Sequence, residues 1–328
     1  MRVFSKYIAS ANDAGPKAKV DIENILKNKY NAKIYTYKEK DFKNGFFVKL
    51  KKTLFTIFHF SFKDITIIQL PYLKADFLFK HNKNVYGILH DISYFRSMDK
   101  NDLASTINSM NNLKGVIIHN NAMKDFLESN GLKTKTICLE FFDYIASEDC
   151  KAQITDISNG LEVVYPGNWD RSKAEFLYDL NENDMNYKIN LYGPNVAGDQ
   201  LENKNIIFKG MFKPDELIQN LEGNIGLVWA GMGDDSDSEH GEKLYNKYNT
   251  PHKLSCFLAA NLPVIVWDKS AIAEVVKKYN IGYLISNIND INKLDLKDYE
   301  EKKRNAEIVG KKIREGYFTN KAIESMIK

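Results

Sequence analysis

Leu161-Glu162-Val163-Val164-Tyr165-Pro166-Gly167-Asn168 is a short apolar, β-branched run closed by a proline-glycine turn. Near the middle of a 328-residue chain, it restarts a pattern that the first half has already run through once. Before it, Arg2 to Ile8, Lys33 to Tyr37, Ile65 to Leu70, Val85 to Leu89 and Val116 to His119 read as strands. After it come Lys188 to Tyr192, Ile206 to Phe208, Ile225 to Trp229, Val264 to Trp267 and Tyr283 to Ile285. Helical patterns lie between them, such as Lys17 to Lys29 with Ile22, Ile25 and Leu26 on one face. This alternation belongs to parallel sheets covered by helices on both faces, and running it twice predicts two sheets. The boundary is expected within residues 139–160, where Glu148, Asp149, Lys151, Ser158, Asn159 and Gly160 break the apolar pattern, giving domains at 1–150 and 151–315. A final helix, Leu296 to Arg314, precedes Gly316-Tyr317-Phe318, and residues 316–328 are expected to return to the first domain.

Hydrophobic content of 44% and charged content of 27% describe a soluble globular protein, long enough for two cores of ordinary size. No run of eighteen apolar residues exists, and Met1-Arg2-Val3-Phe4 enters a strand-like segment without a secretory pattern. A cytoplasmic protein is expected. Cys138, Cys150 and Cys256 are odd in number and lack C-x-x-C spacing, so they read as reduced thiols. The net charge of +3 hides an asymmetry: residues 1–155 hold 24 Lys+Arg against 16 Asp+Glu, and residues 156–328 hold 22 against 27. Much of the excess is Lys38, Lys40, Lys43, Lys49, Lys51 and Lys52, interleaved with Phe42, Phe46, Phe47, Leu50, Leu54 and Phe55. Two readings of this stretch stand side by side, a peripheral contact at the inner face of the cell membrane and a solvated helix packed through its Phe residues. Nucleic acid is not expected, since no recognised binding motif accompanies the charge. The apolar sites Tyr317-Phe318 and Phe46-Phe47 suit a homo-oligomer.

In open α/β sheets ligands bind outside the carboxyl ends of the strands, which gives weight to residues just after each strand. Asn249-Thr250-Pro251-His252-Lys253 reads as a helix N-terminus, with Thr250 as N-cap and Pro251 at the first helical position, leading through Leu254, Phe257 and Leu258. The unpaired N–H groups and the macrodipole favour an anion there, and His252 and Lys253 add cations to that site. After the first strand comes Asn12-Asp13-Ala14-Gly15-Pro16-Lys17, after the fourth His90-Asp91, and after the first strand of the second half Gly167-Asn168, with Arg171 entering the next helix. Gly231 to Ser238 is polar and glycine-rich, as a lid would be. G-x-G-x-x-G is absent, so a dinucleotide-dependent dehydrogenase is not expected.

Asp13-Ala14-Gly15-Pro16-Lys17-Ala18, Leu89-His90-Asp91-Ile92, Gly167-Asn168 with Arg171 and Lys173, Asn249 to Lys253, Leu262 to Lys269 and Ile313 to Phe318 together resemble the bacterial β-1,6-galactofuranosyltransferases that extend cell-surface polysaccharides. A more distant resemblance is to the glucosyltransferases that act on serine-rich streptococcal adhesins. It implies the GT-B fold, two Rossmann-like domains facing each other across a cleft, with the UDP-sugar donor bound mostly by the C-terminal domain and the glycan acceptor by the N-terminal one. Such an acceptor is in some cases lipid-linked. Phe212 resembles a family position that stacks on the nucleobase, although an ordinary core Phe fits the sequence equally well.

The implied reaction displaces a nucleoside diphosphate from an anomeric carbon, so preorganised donors must meet the charge that develops on the departing pyrophosphate. Arg171, Lys253 and the Thr250 helix terminus are the candidates, with Gly15 and Lys17 reaching the distal phosphate or the sugar from the other side. No metal or other cofactor is expected, because the acidic residues of the lid (Asp234, Asp235, Asp237) read as solubilising. Inversion needs a base opposite the leaving group. Asp91 is the first candidate, oriented by His90 or sharing its proton, with Asp13 in reserve; the alternative is a structural Asp91 that caps the next segment. An inverting galactofuranosyltransferase is therefore expected, with a glucosyltransferase acting on N-acetylglucosamine-modified adhesin, or a non-catalytic GT-B partner subunit, as alternatives.

Overall fold

Short hydrophobic runs pair side by side into two separate parallel sheets. The computed structural model describes residues 1–8, 15–39, 46–72, 79, 84–147, 150–229 and 242–328; Asp13, Lys40, Phe42, Lys43 and the expected lid lie outside them. In chain order the first elements are β1 Arg2–Ile8, α1 Lys17–Tyr30, β2 Lys33–Glu39, α2 Phe46–His59, β3 Thr66–Leu70, β4 Val85–Leu89, α3 Tyr94–Ser97, α4 Lys100–Asn111, β5 Gly115–Ile118, α5 Asn121–Ser129 and β6 Lys135–Cys138. There follow β7 Gln153–Ile154, β8 Leu161–Pro166, α6 Phe176–Asp179, β9 Tyr187–Tyr192, β10 Ile206–Gly210, α7 Pro214–Asn220, β11 Glu222–Gly223, β12 Ile225–Val228, α8 Glu242–Tyr248, α9 His252–Ala259, β13 Val264–Trp267, α10 Ala273–Tyr279, β14 Gly282–Ile285, α11 Tyr299–Arg314 and α12 Tyr317–Ile327. The chain divides into two compact units, Met1–Asp143 with Gly316–Lys328, and Tyr144–Glu315.

The first unit carries a sheet of order β2-β1-β3-β4-β5-β6 with every pairing parallel. β4 is buried along its whole length, as an interior parallel strand must be when helices cover both faces. α1 buries Ile22, Ile25 and Leu26, and α12 buries Phe318, Ala322, Ile323 and Met326. Phe318, expected at an oligomer surface, is 2% exposed and packs on Phe141 with ring centroids 4.9 Å apart. Its i, i+4, i+8 relation to Ala322 and Met326 places it on the buried stripe of the helix. The amino end of α12 is held by buried Asp143, whose carboxylate accepts from Phe318 N at 3.2 Å and Thr319 N at 2.6 Å.

α2 turns part of its apolar surface outward, although Phe55 packs inward on Tyr37 with ring centroids 5.9 Å apart. Lys52 and Thr56 are buried, whereas Leu50, Leu54, Ile57 and Phe58 are exposed, Phe58 by 81%. Tyr72, two residues beyond β3, holds the inward face: its carbonyl accepts from Lys52 Nζ at 3.3 Å, its ring lies 5.0 Å beneath the ammonium, and its hydroxyl is 3.1 Å from Thr56 Oγ1.

The second unit has order β10-β9-β8-β12-β13-β14, again all parallel, beside a two-stranded β7–β11 pair. Its first three main strands wind outward in one direction and the next three in the other. The reversal lies between β8 and β12, and a crevice for a ligand opens at such a switch point. In the first unit the reversal lies between β1 and β3. α11 lies directly on α9, and the contact is a glycine: a Cβ at Gly310 would collide with the Leu258 carbonyl.

Candidate active site

At the switch point of the second unit, β8 ends in Pro166 and the chain passes through Gly167, whose N–H donates to Tyr192 O at 2.9 Å. Gly193, following β9, has φ +109° and approaches Gly167 so closely that a Cβ would strike its carbonyl. Only glycine accommodates both demands. From α9, Lys253 reaches back to this turn. Its Nζ lies 3.9 Å from the centroid of the buried Tyr165 ring and 3.3 Å from where a Gly167 Cβ would stand. Ammonium, glycine backbone and helix N-terminus thus converge where the sheet reverses.

The helix start itself differs from the sequence reading. α9 begins at His252, and Pro251, with φ −70° and ψ 138°, holds the cap position, its carbonyl accepting from Leu254 N at 3.0 Å. Thr250 is therefore not the N-cap, and its side chain is buried at 2% exposure. A residue before proline is pushed out of helical geometry, and here the proline too stays extended, moving the helix one residue on. The N–H groups of His252 and Lys253 remain at the helix mouth. The His252 ring stacks on Tyr144 at 4.9 Å and 23°. Asn249 is buried, and its Oδ1 has no hydrogen-bond partner among the described residues, as is also true of Trp229 Nε1 just beyond β12.

Two donor-side candidates stand apart from this cluster. Arg171 lies in a turn rather than in the following helix, which starts only at Phe176; it is exposed, and its guanidinium sits 5.2 Å over the Tyr178 ring. Phe212 is half-buried rather than core, with its ring 6.3 Å from Tyr192 at 49°.

Of the candidates of the first unit, His90 and Asp91 lie just beyond the carboxyl end of β4, beside Gln69 near that of β3. Gln69 Nε2 donates to Lys19 O at 3.1 Å, which orients the amide so that Oε1 accepts from His90 Nε2 at 2.7 Å. His90 is thereby held as the Nε2–H tautomer and stacks on Phe142 at 5.4 Å. Asp91 follows, half-buried, with Oδ1 accepting from Ile92 N at 2.9 Å. Lys19 Nζ donates to Lys6 O at 2.8 Å, and its pKa is pushed down to about 8 by burial and then by the Lys6 charge, against the pull of Glu23 and Asp91. Gly15 is exposed before α1. Lys17 is committed to Asp21 Oδ1 at 2.7 Å, both side chains buried.

Lys19 and Gln69 escaped the sequence reading. A signal existed for Gln69, a lone amide in the apolar strand Ile67-Ile68-Gln69-Leu70 one residue from its carboxyl end. Lys19 carried none, since nothing local distinguishes it from Lys17.

Family models described as glucosyltransferase 3-like match residues 2–141 (N-terminal domain) and 163–326 (C-terminal domain). The beta-1,6-galactofuranosyltransferase WbbI of Escherichia coli K12 is 29% identical over 290 residues, covering 81% of this chain and 79% of its own. Glucosyltransferase 3 of Streptococcus parasanguinis is 26% identical over 231 residues, 68% of this chain and 63% of its own. Anabaena Alr3699/HepE, solved with UDP and glucose, superposes with a TM-score of 0.64 over 100% of this chain and 99% of that one at 14% identity. WaaG, a glycosyltransferase involved in lipopolysaccharide biosynthesis, gives 0.53 at 13% identity, over 99% of each chain. At such identities the structural likeness speaks for the fold, which is GT-B. Matched through both halves by models of one family, the chain belongs to the glucosyltransferase 3-like glycosyltransferases.

Proposed function

We propose that this protein transfers galactofuranose, with inversion, from UDP-galactofuranose to a sugar hydroxyl of a growing cell-surface glycan. The observation that carries the reading is Lys253 Nζ, seated over Tyr165 beside the Gly167 turn and the mouth of α9. A pyrophosphate bound there would meet one full charge, two helix N–H groups and a backbone that comes close for want of a side chain, and these donors strengthen as charge develops on the leaving group. Buried Asn249 Oδ1 and Trp229 Nε1 would gain partners from the same ligand. The second unit is on this reading the donor domain, with Phe212 at the nucleobase.

The first unit would receive the acceptor, its hydroxyl proton passing to Asp91. His90, fixed by Gln69 as the Nε2–H tautomer, would then flank the hydroxyl with Nδ1 as an acceptor. The choice of galactofuranose leans on the likeness to WbbI, which spans more of this chain than the glucosyltransferase 3 relatives do. Those relatives favour glucose as the second reading. Calorimetric titration with UDP, followed by competition with UDP-galactofuranose and UDP-glucose, is the test. The proposal expects UDP to bind and UDP-galactofuranose to displace it more strongly than UDP-glucose. Preference for UDP-glucose would install the second reading, and no UDP binding would point to a non-catalytic subunit.

A further inference from the structure

We propose that the outer face of α2 docks the protein on the surface of an anionic lipid bilayer. Leu50, Leu54, Ile57 and Phe58 are 44%, 45%, 43% and 81% exposed, and their i, i+4, i+7, i+8 spacing draws them into one stripe. Phe62, beyond the helix end, adds a further side chain at 64%. Tyr72 accounts for the inward Lys52 and Thr56 but offers nothing to the outward stripe; isolated exposed apolar residues are ordinary, and a contiguous row marks a binding face.

Charge selects the occupant. Lys51 is exposed seven residues before Phe58, on the border of the stripe, and Lys63 is exposed beside Phe62. From Phe42 to Lys63 the sequence holds no Asp or Glu, Asp64 beyond it is engaged by Arg2, and with Lys52 turned inward the described lysines at this face are the exposed Lys51 and Lys63. Two copies meeting through a two-fold axis would bring these lysines against each other with no carboxylate on the segment to offset them. Phospholipid headgroups supply the missing negative charge, and their acyl boundary accepts the Leu and Phe side chains. At 14 residues α2 is about 21 Å long against a hydrocarbon core of about 30 Å, so it lies in the interface rather than crossing it. Among the described residues no helix is long and apolar enough to span.

The test is flotation with phosphatidylcholine vesicles, with and without phosphatidylglycerol. The wild type should float with the mixed vesicles, remain in solution with phosphatidylcholine alone, and be released by salt. Lys51→Gln should weaken partition about five-fold, and Leu54→Ser/Phe58→Ser at least ten-fold. Both apolar positions face solvent, so the double variant should melt with the wild type; if it melts lower, Lys51→Gln decides. Wild type that never floats, or variants that float equally, would overturn the proposal. So would a wild-type dimer that the double variant converts to monomer while vesicles are ignored, since the face would then join two copies. The vesicles contain no sugar acceptor, and UDP titration of the same variants should be unchanged, so failure here and failure of the donor reading are separate results.

Discussion

An ammonium seated over a tyrosine ring is attracted by the ring quadrupole, and from there it can make a charge-assisted hydrogen bond to a phosphate. Lys253→Ala should therefore weaken UDP binding by about 1.5–3 kcal/mol, some ten- to hundred-fold, checked by titration; unchanged affinity would remove Lys253 from the donor site. Tyr165→Leu should have a smaller effect in the same direction, about 0.5–2 kcal/mol, because it loosens the ammonium without removing it. Asp91→Asn should leave UDP binding intact and lower the transfer rate by about 100-fold or more, measured as sugar incorporated into acceptor. Near-normal turnover would make Asp91 a structural residue, its carboxylate serving the turn through Ile92 N. Lys253 and Gly167 were legible because strand ends, glycine and a proline-marked helix start are all local signals. Thr250 misled because the cap was read as if Pro251 were helical. Lys19 and Gln69 owe their importance to β1, β3 and α1 meeting, which no local pattern encodes.

The elements best read from sequence were the interior strands, since Val85–Leu89 or Val264–Trp267 must be apolar on both faces to exist in a covered parallel sheet. β6 was missed because Lys135-Thr136-Ile137-Cys138 is a partly exposed edge strand with no such demand. The orientation of α2 was illegible for another reason: periodicity finds an apolar stripe but does not say which side of the helix meets the protein, and here Tyr72, distant in sequence, holds Lys52 and Thr56 inward. The position of α9 depends on its neighbour. With no room for a Cβ between Gly310 and the Leu258 carbonyl, Gly310→Ala must push α11 away from α9 and cost about 1–3 kcal/mol. The helix mouth with His252 and Lys253 belongs to α9, which takes up part of the displacement, so the variant should lose both thermal stability and UDP affinity. A variant that melts lower while binding UDP normally would show that the strain is absorbed on the α11 side.

Among the described residues of unit 1, burial moves Asp143 and Lys19 into the range around neutral pH, whereas Tyr72, raised to about 12, acts only above pH 10. Burial raises Asp143 from 3.8 to about 7, so between those values the folded unit keeps a proton that the unfolded chain has released, and stability from this group falls as pH rises. Lys19, lowered from 10.5 to about 8, works at the other end: above pH 8 the folded unit sheds a proton that the unfolded chain retains, and stability returns. Unit 1 should thus be least stable near pH 7–8, read as amide protection of α12 corrected for intrinsic exchange. Asp143→Asn should flatten the acid arm and Lys19→Met the alkaline arm. Exposed carboxylates held low, such as Asp64 beside Arg2, act only below the ordinary carboxylate range and leave this window alone. The Asp143 contact with α12 also has a temporal side. Its two partners are separated in the chain by all of Tyr144–Glu315. On a ribosome adding about 5–20 residues per second, the carboxylate waits on the order of ten to thirty seconds for the amides it will bind. The second unit, built from one continuous stretch, can mature first. Until the last helix is released, β5 and β6 keep an uncovered apolar face, and nascent chains paused in that interval are the ones a chaperone would hold.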